Sequence, residues 1–112
     1  VLNTLPGINN IVTGNSTLTY AATTNIDLSG DGFQTVTLTG NITFTTSNRA
    51  AGKSKTIRIV GDSSTRTLTF PGWTFIGASA PASLAANKDA ILTITAFGTA
   101  DTDIIAAYSA EP

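Results

Sequence analysis

The sequence predicts an all-β fold, a single antiparallel β-sandwich or jelly-roll-like domain of eight or nine short strands over residues 15–112. Three observations support this prediction. Threonine, a β-branched residue that favours the pleated strand, occupies 21 of the 112 positions. Short runs alternate apolar with polar residues, which is the period of a strand with one buried face. Clusters of glycine, proline and aspartate interrupt these runs at intervals of about 8 to 12 residues, as in sandwiches and barrels.

The first 14 residues, VLNTLPGINNIVTG, show neither a helical nor a two-residue period. Pro6-Gly7 and Asn9-Asn10 interrupt the segment, as turn-forming residues do. Residues 1–14 are therefore predicted to form an extended arm whose apolar residues contact the domain's own core or a neighbouring subunit. These apolar residues are Leu2, Leu5, Ile8, Ile11 and Val12.

The alternation predicts nine strands, at 16–20, 25–28, 34–39, 42–46, 55–60, 66–70, 73–76, 90–97 and 104–108. The last two are predicted to pair as a hairpin around the loop GTADTD. Residues 77–89 form the longest gap between strands. This segment, rich in alanine and serine, has room for one helical turn around Leu84, and Pro81 argues against a longer helix.

Residues 35–46, TVTLTGNITFTT, are predicted to form a tight hairpin. Gly40 and Asn41 suit a two-residue turn in which the glycine takes a positive φ. One side of the hairpin is apolar and is predicted to lie in the core; it carries Val36, Leu38, Ile42 and Phe44. The other side is predicted to be either hydrated or packed against a second copy; it carries Thr35, Thr37, Thr39, Thr43 and Thr45.

The residue inventory argues against an enzyme. The chain has no histidine and no cysteine, so Ser-His-Asp and Cys-His arrangements are excluded, as are disulfides and cysteine-ligated metals. The lysines are predicted to lie beside turns or on hydrated strand faces, where an amine is a poor nucleophile. Ser54 lies between Lys53 and Lys55, but adjacent strand residues point to opposite faces. No catalytic and no cofactor-binding residue is predicted.

Two aspartate pairs suggest a calcium site, Asp27 with Asp31 and Asp101 with Asp103. Calcium takes six to eight oxygen ligands, and neither loop has the ligand spacing of an EF-hand. Aspartate and glycine are also common turn formers. The turn interpretation is favoured, and no metal site is predicted.

The low charge restricts the partners. The net charge is −1 and 12% of the residues are charged, so no strongly basic patch for nucleic acid is expected. No apolar run reaches the 18 or so residues of a membrane span.

Four of the five phenylalanines fall at core positions of predicted strands. Trp73, after Pro71-Gly72, is assigned to the core or a subunit interface in preference to a sugar-binding platform.

Three segments together resemble a known module: QTVTLTGNITFTT, GKSKTIRIVGDSSTRTLTFPGWTFIG and ILTITAFGTADTDIIAAYS. Their order is similar to a small β-module that recurs in virion proteins of tailed bacteriophages, including head fibres and tail fibres. The shared pattern runs over residues 34–108, about two-thirds of the chain. The resemblance implies a β-sandwich, commonly assembled as a trimer on the virion exterior, without catalytic residues.

The expected function is that of a trimeric capsid decoration, or cement, protein on the exterior of the head shell. Its expected partner is the major capsid protein, which the arm and one end of the sandwich would contact. This choice rests on size, because the module makes up nearly the whole chain. One alternative is a tail-fibre or head-fibre tip that binds a host-surface glycan. Another is a carbohydrate-binding or adhesin module of a bacterial protein.

Overall fold

The structure is a computed structural model that describes residues 14–29 and 32–112. The predicted arm, apart from Gly14, lies outside the described residues. Within them the chain forms ten strands and one short 3₁₀ helix. The strands are β1 Asn15–Thr17, β2 Thr23–Asp27, β3 Phe33–Thr37, β4 Ile42–Ser47, β5 Ser54–Val60, β6 Arg66–Thr69, β7 Thr74–Phe75, β8 Ser83–Leu84, β9 Asp89–Ala96 and β10 Ile104–Ala110. The 3₁₀ helix is Asp101–Asp103.

In the described part of the chain, the strands form two sheets that enclose one core, which confirms the all-β, sandwich-like prediction. The larger sheet has the order β1-β3-β5-β9-β10-β7 and the smaller one β2-β4-β6-β8. The purely antiparallel arrangement was wrong, because both sheets are mixed. Strands β1, β3 and β5 run parallel, and so do β2, β4 and β6.

The parallel pairs arise because the chain changes sheet after every strand from β1 to β6. Each return to a sheet places the next strand beside the previous one in the same direction. The segment 35–46 is therefore not a hairpin, since β3 and β4 belong to different sheets.

Gly40 has no positive φ. It is needed for close approach, because a β-carbon there would collide with the Tyr20 hydroxyl, which donates a hydrogen bond of 2.8 Å to the Asn41 carbonyl.

The C-terminal half completes the larger sheet with two antiparallel pairs and with the edge strand β7, which runs parallel to β10. Strand β9 pairs with β5 on one side and with β10 on the other, in register from Ile104 opposite Ala96 to Ala110 opposite Ala90. The predicted C-terminal hairpin is thus confirmed. The helical turn predicted around Leu84 was wrong: Ser83–Leu84 is a short strand that pairs with β6, and the Leu84 side chain enters the core.

The core is filled by the inward side chains of both sheets. The four apolar residues predicted from segment 35–46 are all there, each at most 1% exposed. An aromatic cluster joins Phe44, Phe70, Trp73 and Phe75, with ring centroids 5.0 to 6.5 Å apart. Trp73 is 7% exposed, so of the two locations predicted for it, the core or a subunit interface, it lies in the core. The other buried apolar residues are Ile26, Leu28, Ile57, Ile59, Leu68, Leu84, Ala90, Leu92, Ile94, Ala96, Ile104 and Ala106.

The end of β5 provides a test of this packing. The Gly61 amide donates a 2.9 Å hydrogen bond to the Lys88 carbonyl, and a β-carbon at Gly61 would lie 2.5 Å from that oxygen. We expect Gly61→Ala to lower the free energy of unfolding by roughly 1 to 3 kcal/mol, because backbone must move to accept the methyl group. Urea unfolding would measure the loss.

Gly72→Ala is the matched control. The nearest atom to a β-carbon at Gly72 is the Thr102 methyl carbon at 3.8 Å, an ordinary contact. If both variants had the same urea midpoint of unfolding as the wild-type protein, the close approach of Gly61 to the Lys88 carbonyl would be contradicted.

Candidate interaction surface

The smaller sheet has an outer face without apolar side chains at the outward strand positions. We call this surface the polar face. Its outward residues are Thr23, Asn25, Asp27, Thr43, Thr45, Ser47, Thr67, Thr69 and Ser83. Neighbouring strands bond across it: Asn25 Nδ2 donates to Ser47 Oγ at 2.8 Å, and Thr45 Oγ1 donates to Asn25 Oδ1 at 2.9 Å. This face satisfies part of its hydrogen-bonding capacity internally and leaves the rest for water.

The larger sheet has a different outer face, which we call the apolar face. It carries Phe33 on β3 and Ile91 on β9, which are 49% and 44% exposed. Ile76 directly follows β7 and is 56% exposed; its amide donates to the Ala106 carbonyl and continues the ladder. Phe97 directly follows β9, two residues after the outward Thr95, and is 69% exposed. These four are all the exposed large hydrophobic side chains of the described residues.

Strand register fixes how these side chains are arranged. Phe33 lies level with Thr56, Thr56 with Thr93, and Thr93 with Ala107. A row of small uncharged side chains therefore runs across the sheet from Phe33 towards Ile76. Clusters of exposed apolar side chains on soluble domains commonly mark binding surfaces.

The threonines of segment 35–46 are divided between the two faces. Thr35 and Thr37 point outward from the larger sheet, whereas Thr43 and Thr45 point outward from the smaller one. The single threonine side predicted for a hairpin does not exist, because its two strands lie in different sheets.

Two adjoining hollows cross the apolar face and share Arg58 and Ile91. One, of about 300 Å³, is lined by Asn15, Phe33, Gln34, Thr35, Thr56, Arg58 and Ile91. The other, of about 250 Å³, is lined by Arg58, Asp89, Ala90, Ile91, Ser109 and Glu111. The Gln34 side chain lies on the inward phase of β3, where its Nε2 donates to Ser16 Oγ at 3.3 Å and its buried Oε1 accepts no hydrogen bond from the described residues.

The charges of this face are concentrated around Arg58. Its Nε and Nη2 atoms donate to Asp89 Oδ2 at 3.0 and 2.6 Å. Glu111 lies beside the pair, since its Oε1 accepts a 2.7 Å hydrogen bond from the Asp89 amide. The Arg58 side chain is 58% exposed, so water weakens the ion pair in the isolated chain. A partner that excluded this water would strengthen it.

The aspartates of the calcium hypothesis serve the turns. Thr46 Oγ1 donates a short hydrogen bond to Asp101, whose carboxylate lies 3.6 Å from Arg49 Nη1. Asp103 Oδ2 accepts a 3.1 Å hydrogen bond from the Ala100 amide. Asp31 lies outside the described residues. Over the ranges 14–29 and 32–112, no group of three or more histidine, cysteine or acidic residues is placed to hold a metal.

Lys55 corrects the expectation that the lysines contact water. It lies on the inward side of β5 and is 1% exposed, between the exposed Ser54 and the half-buried Thr56. The two-residue period of β5 required this, because the apolar Ile57 and Ile59 share its side of the strand. Lys53 and Ser54 are exposed.

The phases of β3 and β9 could have revealed the apolar face. Phe33 is three residues from the buried Val36, and Ile91 is adjacent to the buried Leu92, so both fall on the outward phase. The sequence prediction began this strand at residue 34, after Phe33, and did not assign Ile91 to an outer face. Of the four phenylalanines predicted at core positions, Phe97 fails the expectation, because it is 69% exposed.

Comparison with known proteins does not extend this description. No protein-family model, curated protein or solved structure matches the chain. The described residues include no helix that is long and apolar enough to cross a membrane. The resemblance of residues 34–108 to a phage virion module remains a prediction.

Asp27, at the end of β2, accepts three hydrogen bonds through one carboxylate oxygen. Its Oδ1 accepts from Asn48 Nδ2 at 2.7 Å, from Ser29 Oγ at 2.7 Å and from the Ser29 amide at 2.9 Å. These bonds lower the pKa of Asp27 from 3.8 to about 2, with a small contribution from the charge of Lys55.

This low pKa predicts a pH dependence of stability. Because the folded chain favours the ionised carboxylate, the stabilisation is complete above pH 3.8 and is lost as the pH falls towards 2. We expect Asp27→Asn to be less stable than wild type at pH 6, with the difference shrinking between pH 4 and 2. Thermal unfolding followed by circular dichroism would measure it.

Ser29→Ala is the matched variant, since it removes one of the three donors. It should show a smaller stability loss over the same pH range. The low pKa of Asp27 would be contradicted if the difference in stability between the wild-type protein and Asp27→Asn stayed constant down to pH 2.

Proposed function

We propose that this chain is a bacteriophage virion structural protein, a homotrimeric capsid decoration protein on the exterior of the head shell. Its partner in this proposal is the major capsid protein. The sequence resemblance over residues 34–108 gives the setting. The contrast between the two outer faces is the observation that carries the proposal.

A decoration protein must present one surface to solvent and another to its assembly. The polar face suits the first task, because its hydroxyl and amide groups are neutral, short and hydrogen-bonded. The apolar face suits the second task, because it gathers the exposed large hydrophobic side chains of the described residues. Assembly interfaces are enriched in such aromatic and aliphatic anchors.

Rebinding to phage heads that lack the protein tests the proposal. We expect the purified protein to co-sediment with such heads and to saturate at a copy number that is a multiple of three. Multi-angle light scattering should show trimers at micromolar concentration. Heads that already carry their full complement of the protein are the control and should take up no more.

Two outcomes would contradict the proposal. One is that undecorated heads bind no more protein than decorated ones. The other is a stable monomer at micromolar concentration, which would remove the symmetric assembly on which the decoration role depends.

A second candidate function, glycan binding at a fibre tip, is favoured by the larger hollow on the apolar face. Its half-exposed Phe33 ring offers an apolar platform, and Thr56 and Arg58 offer polar contacts. Binding sites commonly combine an apolar lining with a few polar groups in this way. Trp73, which sequence analysis offered as the other platform, is buried.

The glycan candidate predicts binding on a glycan array that is lost in Phe33→Ala, because the substitution removes the platform. Phe97→Ala is the control, since Phe97 is an exposed phenylalanine outside the hollow. Binding that survived in Phe33→Ala, or no binding by the wild-type protein, would dismiss this candidate.

A further inference from the structure

The apolar face differs from the polar face in charge as well as in hydrophobicity. It combines a guanidinium, Arg58, with two carboxylates, Asp89 and Glu111, in neighbouring rows. A surface prepared for a strongly acidic or strongly basic partner would carry one sign of charge. In a trimer that packs this face around its threefold axis, a surface with both signs is complementary between neighbours, because the cation of one copy then faces the anions of the next.

The ion pair also lies in the right place for such a contact. Arg58 and Ile91 are register partners on adjacent strands, and both line the two hollows. Apolar side chains on the same face, Phe33 and Ile91, would exclude water from the charged groups. Charges attract or repel one another more strongly where water is excluded than they do in water.

We propose that copies of this chain bind one another through the apolar face, and that Arg58 of one copy pairs with the Asp89–Glu111 carboxylates of the next. The inference rests on the trimer of the proposed function and names its contact surface. It does not depend on where the trimer binds. The shell protein or a glycan as the occupant of this face is the competing outcome.

Charge reversal with mixing tests the proposal on the purified protein alone. Arg58→Asp leaves only carboxylates at the contact, and Asp89→Arg places two guanidinium groups there. We expect each variant by itself to associate roughly tenfold or more weakly than wild type, because like charges face each other. Sedimentation velocity would measure the association.

Mixing the two variants should restore association, since each then meets its opposite charge. In a ring of three, two copies of the same variant must be neighbours, and their like charges repel. We therefore expect heterodimers in the mixture and not trimers. Native mass spectrometry would identify them by mass.

The Asp62–Arg66 pair supplies the matched control. Its Nη2–Oδ2 distance is 2.6 Å, the same as for Arg58 and Asp89, but it joins the loop after β5 to the first residue of β6, outside the apolar face. Arg66→Asp and Asp62→Arg should each remain trimeric. Circular dichroism should show that all four variants are folded.

Single-cysteine labels give a second measurement that needs no charge change. The native chain has no cysteine, so Ile91→Cys and Thr45→Cys each accept one nitroxide label. Pulsed electron paramagnetic resonance should give shorter distances between copies at position 91, on the apolar face, than at position 45, on the polar face.

The results separate this inference from the proposed function. Failure to bind phage heads, with mixing and label distances as expected, would overturn the decoration role alone. The inference is overturned if the Arg58 and Asp89 variants stay trimeric, if mixing yields no heterodimer, or if the labels at position 45 are the closer ones.

Discussion

Alternation of side chains along the strands links the core of this protein to both of its outer faces. A shift of one residue in the register of a strand would exchange its inward and outward side chains. Val36, Ile57 and Leu92 are fully buried, which fixes the phase of β3, β5 and β9. Phe33, Arg58 and Ile91 must then lie outside, because each is an odd number of residues from a buried position. The apolar face is therefore a consequence of how the core is filled.

Threonine is an outward residue on both sheets, in different surroundings. On the smaller sheet, Asn25, Thr45 and Ser47 bond one another and leave their remaining polar atoms to water. On the larger sheet, Thr56 and Thr93 lie in a row between the apolar Phe33 and Ala107. Threonine suits both surfaces because its branched Cβ favours the strand while its hydroxyl carries no charge. The abundance of this residue by itself therefore does not identify a binding face.

The sequence was sufficient to predict most of the strands and the β9–β10 hairpin, but not the short strand β8 or the pairing of the strands that cross between sheets. A two-residue period marks β3 and β4 wherever they lie, so Val36, Leu38, Ile42 and Phe44 were placed correctly in the core. Gly40-Asn41 is compatible with a tight hairpin and equally with a crossing between sheets. Only the approach of Tyr20 to Gly40 distinguishes them, and those residues are 20 positions apart. The inward Lys55 and the outward Phe33, by contrast, follow from the phase of their own strands and could have been predicted.

The crossing between sheets also bears on how the chain folds. Thr23 pairs with Thr43, so the two strands can meet only after a segment of some 20 residues has closed on itself, at an entropic cost. The β9–β10 hairpin needs a much shorter loop, since Ala96 pairs with Ile104. By this argument the β9–β10 hairpin, with the shortest loop closure, is expected to form before the strands that cross between sheets. Domains dominated by such distant pairings fold in milliseconds to seconds. Until the other strands dock, the outward Ile91 and Phe97 would lie on a hairpin without neighbouring strands.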